Sequence, residues 1–433
     1  MSIDRTILGA SRLAVSAFYR VSVAGETVPP SGPLVLVGNH PNGLVDPILL
    51  SYSTERSLRF LGKAPLFQMP LLGMLVRGAR VLPVYRAQDG ADTKADNEDT
   101  FRAVFDALVD GDAVALFPEG KSHSEPKVQR MKTGAARMAL GAQERAGADL
   151  GIRVVPVGLV YRARRRFRSR AVVWVGAPIA VDDLADEYRE DAWSAVEKLT
   201  ERIKQGLAEL TLELERWEEL PLLEFVADLE AAPRPADFAS IRALAHELST
   251  ARERFPDEVI ELAQRARRLK DRLAALGAEP SDLTLRYSIG GILRYALRQL
   301  AAFLVATPPY LAGLVAWFLP WQLAKLVVRI ARPESDTWAT TAVLAGMVLF
   351  PVWVLLVGLG VGFYTSTTWG LVAAVGTILV GLVALRGPGL WKGLWRDVKL
   401  FASSRNRREL FDHARGECDD LVKEIHALRT REA

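Results

Sequence analysis

PLVLVGNHPNGLVDP, residues Pro33 to Pro47, is the stretch from which the rest of the chain can be read. Its first six residues are an apolar run of strand length that stops at Gly38. Asn39 and His40 stand at the strand end, Gly43 lets the loop fold back, and Pro41 and Pro47 restrict where the next helix begins. Asp46 lies six residues after His40, at the head of an apolar run that reads as a helix. An imidazole takes up a proton near neutral pH, and a neighbouring carboxylate fixes its tautomer and stabilises the imidazolium. His40 and Asp46 are therefore candidates for a general base and its orienting partner. The bland alternative is an incidental pair, and the motifs downstream weigh against it.

Outward from this stretch, apolar strand patterns recur at 33–38, 58–62, 80–85, 113–118, 153–161 and 171–176, with helical patterns near 45–54, 64–77, 97–109 and 131–146. Strands separated by helices of that length imply an α/β domain with a mostly parallel sheet and flanking helices. Functional groups in such sheets gather at the carboxyl ends of strands. His40 is at one such end. FPEGKSH, Phe117 to His123, begins at another: Glu119 follows the strand, Gly120 lets backbone amides approach an anion, and Lys121, Ser122 and His123 add donors suited to a phosphate. A solvated loop is the competing reading of the same residues. Lys63 and Arg86 each follow a strand and are further candidates for the cleft, with plain surface cations as the alternative. Lys132 opens a helix in KTGAARMAL, whose N-terminus favours anions.

The whole chain of 433 residues has room for two or three domains, and its hydrophobic half is unevenly spread. Beyond about residue 288 it is far more apolar, so a soluble part followed by a membrane part is expected. A net charge of +4 and a pI near 9.1 suit anionic membrane surfaces or phosphate-bearing substrates. A nucleic-acid partner is not expected, because the basic excess is too small. One cysteine, Cys418, excludes an internal disulfide and points to a reducing compartment; in its charged segment it reads as a free surface thiol. Asp4, Arg5, Arg12 and Arg20 interrupt the first twenty residues, so no signal peptide is expected there, and residues 1–30 read as an amphipathic helix.

Together these motifs resemble those of the glycerophospholipid acyltransferases. NHPNGLVDP, FLGKAPLF, the strand ending at Arg86, FPEGKSH, KTGAARMAL and VVPVGLVY occur in that family's order, over roughly residues 30–180. Most members have four residues between the motif His and Asp; this chain has five, 41–45. The longer spacing, the EGKSH motif and FRSR (Phe167–Arg170) resemble the branch of fungal-type glycerol-3-phosphate and dihydroxyacetone-phosphate acyltransferases. The resemblance implies that His40 is the general base, Asp46 its partner, and that Arg86, Glu119 and Gly120 surround the acceptor's phosphate and glycerol. Most members continue Glu-Gly with Thr-Arg, whereas here Lys121 and Ser122 follow; Lys121, Lys127 and Arg130 are candidates for the missing cation. The expected reaction moves a fatty acyl group from acyl-coenzyme A or acyl-carrier protein to glycerol 3-phosphate, with a lysolipid as alternative acceptor. A non-catalytic lipid-binding scaffold is the rival from another class. No metal or bound cofactor is implied. There is no GxSxG elbow, so direct transfer is favoured over an acyl-enzyme.

The remaining segments read as appended modules. RARRRFRSR, Arg162 to Arg170, reads either as the solvated end of a hairpin or as a contact for anionic headgroups. From the acyltransferase domain at 31–182, the chain passes to a helical region at 183–288. Trp193, Thr200, Leu207 and Leu214 recur by seven there, as do Val196, Ile203, Leu210 and Trp217, while Val259 to Leu276 carries a three–four pattern. Antiparallel packing within the chain is the economical reading, and a dimer through these seams is the alternative. Residues 289–400 read as the membrane region, with a segment about 301–321 bent at Pro308 and Pro309 and spans about 341–363 and 369–385. Basic flanks on the cytoplasmic side make the two spans a hairpin, leave the first segment re-entrant, and set the catalytic domain in the cytoplasm. Gly358, Gly360 and Gly362 read as close helix packing. Residues 401–433 read as a charged helix.

Overall fold

The computed structural model describes residues 3–68, 70–85, 93–147, 150–284, 289–334, 337–385 and 408–431. Packing divides the chain into one unit of Met1–Glu213 with Val327–Met347 and a second of Leu214–Leu326 with Val348–Ala433.

In the first unit the chain runs α1 (Ile3–Phe18), β1 (Tyr19–Gly25), β2 (Leu34–Gly38), α2 (Val45–Leu50), β3 (Leu58–Lys63), α3 (Pro70–Gly78), β4 (Leu82–Val84), α4 (Thr93–Val109) and β5 (Ala113–Leu116). It continues through α5 (Gly134–Ala146), β6 (Arg153–Tyr161), β7 (Ser169–Val175), β8 (Ile179–Ala180), α6 (Ala185–Glu190) and α7 (Ala192–Ala208). The strands form one sheet in the order β1-β7-β6-β2-β5-β3-β4, with β8 on β6. The central five, β6 to β4, are parallel; β7 runs against β6, and β1 runs with β7. β2 lies in the middle, Val37 pairing with Leu116 on β5 and Pro156 on β6. A strand so placed is covered on both faces, which is why its sequence is a continuous apolar run. Its side chains alternate between two cores. Val35 and Val37 meet Leu108, Leu140, Leu199 and Ile203 on one side, and Leu34 and Leu36 meet Val15, Leu49, Ala339 and Val343 on the other.

Two boundaries differ from the sequence reading. The N-terminal helix stops at Phe18, and 19–25 is an edge strand in which Val21 and Val23 alternate with Arg20 and Ser22. Strand pairing with β7, a partner some 150 residues on, sets that boundary, and no local helical spacing reports it. The helical region does not begin at 183. α6 and α7 belong to the first unit, and Val196, Leu199, Ile203 and Leu207 of α7 join its core. The heptad drawn through Leu214 and Trp217 breaks because α7 ends at Ala208, and Trp193, placed on that seam, is 62% exposed.

The second unit holds α8 (Leu220–Ala231), α9 (Phe238–Arg254), α10 (Pro256–Leu276) and most of α11 (Ile289–Ala331), followed by most of α12 (Trp338–Tyr364), α13 (Thr367–Leu385) and α14 (Arg408–Thr430). Val259 of α10 and Leu428 of α14 meet at Ala251, and Arg272 pairs with Glu417 at 2.5 Å. On α14, Phe411, Ala414, Cys418, Leu421, Ile425 and Leu428 form a buried stripe at three–four spacing. Cys418 is thus buried, not the surface thiol expected. Burial pushes its thiol from the ordinary 9.0 up to about 12, with Asp419 and Glu417 adding to the shift.

Three helices among the described residues are long and apolar enough to cross a membrane: Phe303–Ala331 within α11, α12 and α13. The segment with Pro308 and Pro309 at its middle is part of one continuous helix that also passes Pro320. Apolar surroundings offer the backbone no alternative to its remaining internal hydrogen bonds, so such helices tolerate proline. The indoles of Trp317 and Trp353 donate to the carbonyls of Thr377 (2.9 Å) and Ala316 (2.8 Å), tying α11 to both partners. Two of the three glycines pack as read: a Cβ on Gly370 would stand 2.6 Å from the Gly358 carbonyl oxygen and 2.9 Å from Gly362 Cα, whereas a Cβ on Gly360 would meet nothing within 4 Å.

Candidate active site

β2 delivers Asn39 and His40 to the carboxyl edge of the sheet. The buried Asn39 amide locks β2 to β6, accepting from Leu159 N at 2.7 Å and donating to the Leu159 carbonyl at 3.0 Å. His40 comes next, its ring stacked on Phe117 at the end of β5, centroids 4.2 Å apart. The loop then turns through Gly43, at φ +50°, to bring Asp46 back beneath the imidazole. His40 Nδ1 lies 2.8 Å from Asp46 Oδ2. The carboxylate can only accept, so Nδ1 carries the proton and Nε2 keeps its lone pair for a base.

Asp46 is fully buried and held by three donors. Besides His40, its Oδ2 accepts from Asn42 N at 2.6 Å, and its Oδ1 accepts from Tyr161 Oη at 2.5 Å. Burial, reinforced by the Asp46 carboxylate, pushes the Tyr161 phenol well above its ordinary value, so it remains a neutral donor. Tyr19 is raised by burial as well; it accepts from Asn42 Nδ2 at 3.0 Å and donates to the Arg164 carbonyl.

The second motif is joined to the first through the backbone. Glu119, buried, accepts from His40 N at 3.2 Å through one oxygen and pairs closely with the His123 ring through the other. His123 N in turn donates to the His40 carbonyl at 3.1 Å. Gly120 has φ +74°, and a Cβ there would stand 2.6–2.7 Å from Cε, Cδ and Nζ of Lys132, whose side chain lies across it. Lys132 N donates to the Pro118 carbonyl at 2.8 Å. The structure therefore brings His40, Asp46, Glu119, Gly120 and Lys132 together. Lys121 is exposed and Ser122 half-buried in the same loop; Lys63 is exposed at the end of β3, three residues past the Phe60–Ala115 pair. Arg86 lies outside the described residues.

Residues 20–160 match the family model described as Acyltransferase. That stretch is an acyltransferase domain. The chain is 44% identical over 119 residues to glycerol-3-phosphate O-acyltransferase 2 of Saccharomyces cerevisiae, which covers 27% of this chain and 16% of that protein. Glycerol-3-phosphate O-acyltransferase 1 of the same yeast is 33% identical over 139 residues, 31% of this chain and 18% of that protein. An uncharacterized acyltransferase of Schizosaccharomyces pombe is 25% identical over 449 residues, 82% of this chain and 66% of that protein. The matched region thus spans less than a fifth of either yeast glycerol-3-phosphate acyltransferase.

In the acyltransferase domain's surroundings, the basic segment does something its composition did not announce. Arg164 donates to the carbonyls of Pro41 (2.7 Å), His123 (3.2 Å) and Ser124 (3.2 Å), and Arg168 donates to that of Ser16 at 2.9 Å. The Arg164 guanidinium ties the loop at Pro41 to the loop at His123 and Ser124, and that of Arg168 meets the carbonyl end of α1. Sequence reasoning also missed Tyr19, Asn42 and Tyr161. Asn42 was within the motif, where a buried amide between a His and an Asp is a usable signal; the tyrosines stand 27 residues before Asp46 and 115 after it, with no local pattern to mark them.

Proposed function

We propose that this protein is an O-acyltransferase in which His40, oriented by Asp46, activates a hydroxyl of glycerol 3-phosphate. The observation that carries this reading is the 2.8 Å contact between His40 Nδ1 and an Asp46 that is fully buried and fixed by Asn42 and Tyr161. Such an imidazole has one nitrogen committed and one free. As the hydroxyl oxygen attacks the thioester carbonyl of acyl-coenzyme A or acyl-carrier protein, His40 Nε2 takes its proton. Collapse breaks the carbon–sulfur bond, and the departing thiolate recovers that proton from the imidazolium. The product is a lysophosphatidate-type ester and a free thiol. Backbone and side-chain donors near Gly120 supply stabilisation for the developing oxyanion.

For the acceptor's phosphate we assign Gly120, Lys121, Ser122 and Lys132, with Lys63 at the end of β3 and, from the sequence motif alone, Arg86. Lys132 replaces the arginine that most family members carry after Glu-Gly, since its ammonium lies against Gly120. Glu119 serves by holding the His40 backbone. The thioester is already activated, so the step uses no metal or bound cofactor. The names of the two yeast relatives support glycerol 3-phosphate as acceptor. α12 and α13 form the membrane hairpin, with Lys325, Arg329 and Arg332 before it and Lys392, Arg396 and Lys399 after it on the cytoplasmic side, where the catalytic domain works.

The test is acyl transfer from palmitoyl-coenzyme A in detergent, comparing glycerol 3-phosphate, dihydroxyacetone phosphate and lysophosphatidic acid. Transfer to glycerol 3-phosphate, abolished in His40→Ala while the protein stays folded, is the expected result. Transfer to the lysolipid alone would overturn the acceptor, and activity retained in His40→Ala would overturn the general base.

A further inference from the structure

The catalytic turn is completed by a residue almost three hundred positions downstream. Leu44 opens α2 with φ −70° and ψ −9°, and its side chain offers no cap to the helix. The first N–H groups of a helix have no partner within it, and a buried one left unmade is costly. In this turn Val45 N is answered by the Asn42 carbonyl (3.1 Å) and Asp46 N by the Gly43 carbonyl (3.3 Å). Leu44 N donates instead to Thr340 Oγ1 at 3.1 Å, across 296 residues of sequence.

Thr340 is well placed to serve as a fixed point. It lies in the first turn of α12, is 7% exposed, and sits between Ala339 and residues that join the core formed by Val15, Val45 and Leu49. Trp338 meets Phe18 edge-to-face at 6.4 Å, anchoring the same turn to α1. Thr307, Thr341, Thr365 and Thr377 in these apolar helices spend their hydroxyls on the carbonyl four residues before, as helical threonines do. Thr340 Oγ1 accepts a hydrogen bond from the loop between His40 and Asp46. Residues 327–347 accordingly belong to the acyltransferase unit.

We infer that Thr340 is a positioning residue for the His40–Asp46 pair, so that the acyltransferase domain is complete only with the start of α12 docked on it. The inference deepens the acyltransferase reading and rests on it for its effect on turnover. Its structural part stands separately: the hydroxyl holds Leu44, Leu44 sets the entry into α2, and α2 carries Asp46 beneath the imidazole.

Thr340→Val keeps the shape of the side chain and removes the acceptor; Thr340→Ser keeps the acceptor. In the full chain in detergent, Thr340→Val is expected to lower kcat about tenfold with KM for the acceptor unchanged, and to speed amide exchange in peptides covering 40–50. Thr340→Ser is expected to stay within about twofold of the parent in kcat and to restore exchange protection. Val343→Ala, which loosens the same packing without touching the hydrogen bond, is expected to lower the melting temperature and leave exchange at 40–50 unchanged. Unchanged exchange in Thr340→Val, or equal effects of Thr340→Val and Val343→Ala on kcat and on exchange, would overturn the positioning role. A parent protein without acyl transfer would overturn the catalytic reading, while exchange would still decide whether Thr340 holds the turn.

Discussion

In the acyltransferase unit Leu34 to Val37 and Asp46 are all without exposed surface, and the Asp46 carboxylate accepts from His40, Asn42 N and Tyr161. In the apolar helices the arrangement is reversed: Val315 is 79% exposed and Phe363 84%, while the hydroxyls of Thr307 and Thr377 turn back onto their own helices. The first region has the build of a protein that expels apolar groups from water. The second has the build of one whose surroundings are themselves apolar, where each backbone polar group must be satisfied within the segment. The difference separates two jobs. The sheet unit holds a few polar atoms through several hydrogen bonds each, and the helices present surface to a solvent that needs no polar display.

That contrast can be broken or sharpened by experiment. Cys418 tests whether the second unit also contains a conventional core, on α14. With its thiol at about 12 against the ordinary 9.0, the fold keeps this group neutral, so roughly a thousandfold less thiolate is present at pH 8 than for a free cysteine. Alkylation by iodoacetamide, followed by mass spectrometry, should lag accordingly and reach normal rates only on unfolding. The neutral thiol's contribution to stability is complete below pH 9 and is lost as pH rises from about 9 towards 12. Fast alkylation in the native protein would show α14 undocked. On α12, Leu355→Arg places a charge on an exposed face at the middle of the span. It should cost about 3 kcal/mol of insertion, on the order of a hundredfold, checked by protease protection of the helix in proteoliposomes. A surface exposed to water would tolerate the arginine. In the sheet unit, Tyr161→Phe removes one of three donors to Asp46 and should lower kcat about tenfold with KM unchanged. Since burial holds Tyr161 neutral, the pH dependence of the parent should show no tyrosine ionisation across the range near neutrality.

Much of the sheet and the centre of the site were legible in the sequence for local reasons. β2 is an apolar run ending at a loop with His40 and Asp46, and FPEGKSH sits at a second strand end; period and motif both operate over a few residues. The stripe on α14 was equally local, at three–four spacing from Phe411 to Leu428, and the surrounding charges masked it. What remained hidden depends on distance along the chain. β1 is defined by its pairing with β7, Tyr161 by its reach to Asp46, and Thr340 by the docking of a helix whose composition speaks only of apolar surroundings. Arg164 shows the same limit from the other side. A run of six arginines reads as a solvated hairpin end or an anion contact until one of its guanidiniums is found holding the carbonyls of Pro41, His123 and Ser124.

The most direct test of the central claim is the effect of Asp46→Asn on acyl transfer from palmitoyl-coenzyme A to glycerol 3-phosphate. The amide keeps the size of the side chain but can donate to His40 Nδ1, shifting the ring proton to the nitrogen that must act as base. If Asp46 sets the tautomer, kcat should fall about a thousandfold or more while the protein stays folded and KM changes little. A variant retaining a tenth or more of the parent's kcat would contradict the assignment of His40 and Asp46 as base and orienting carboxylate.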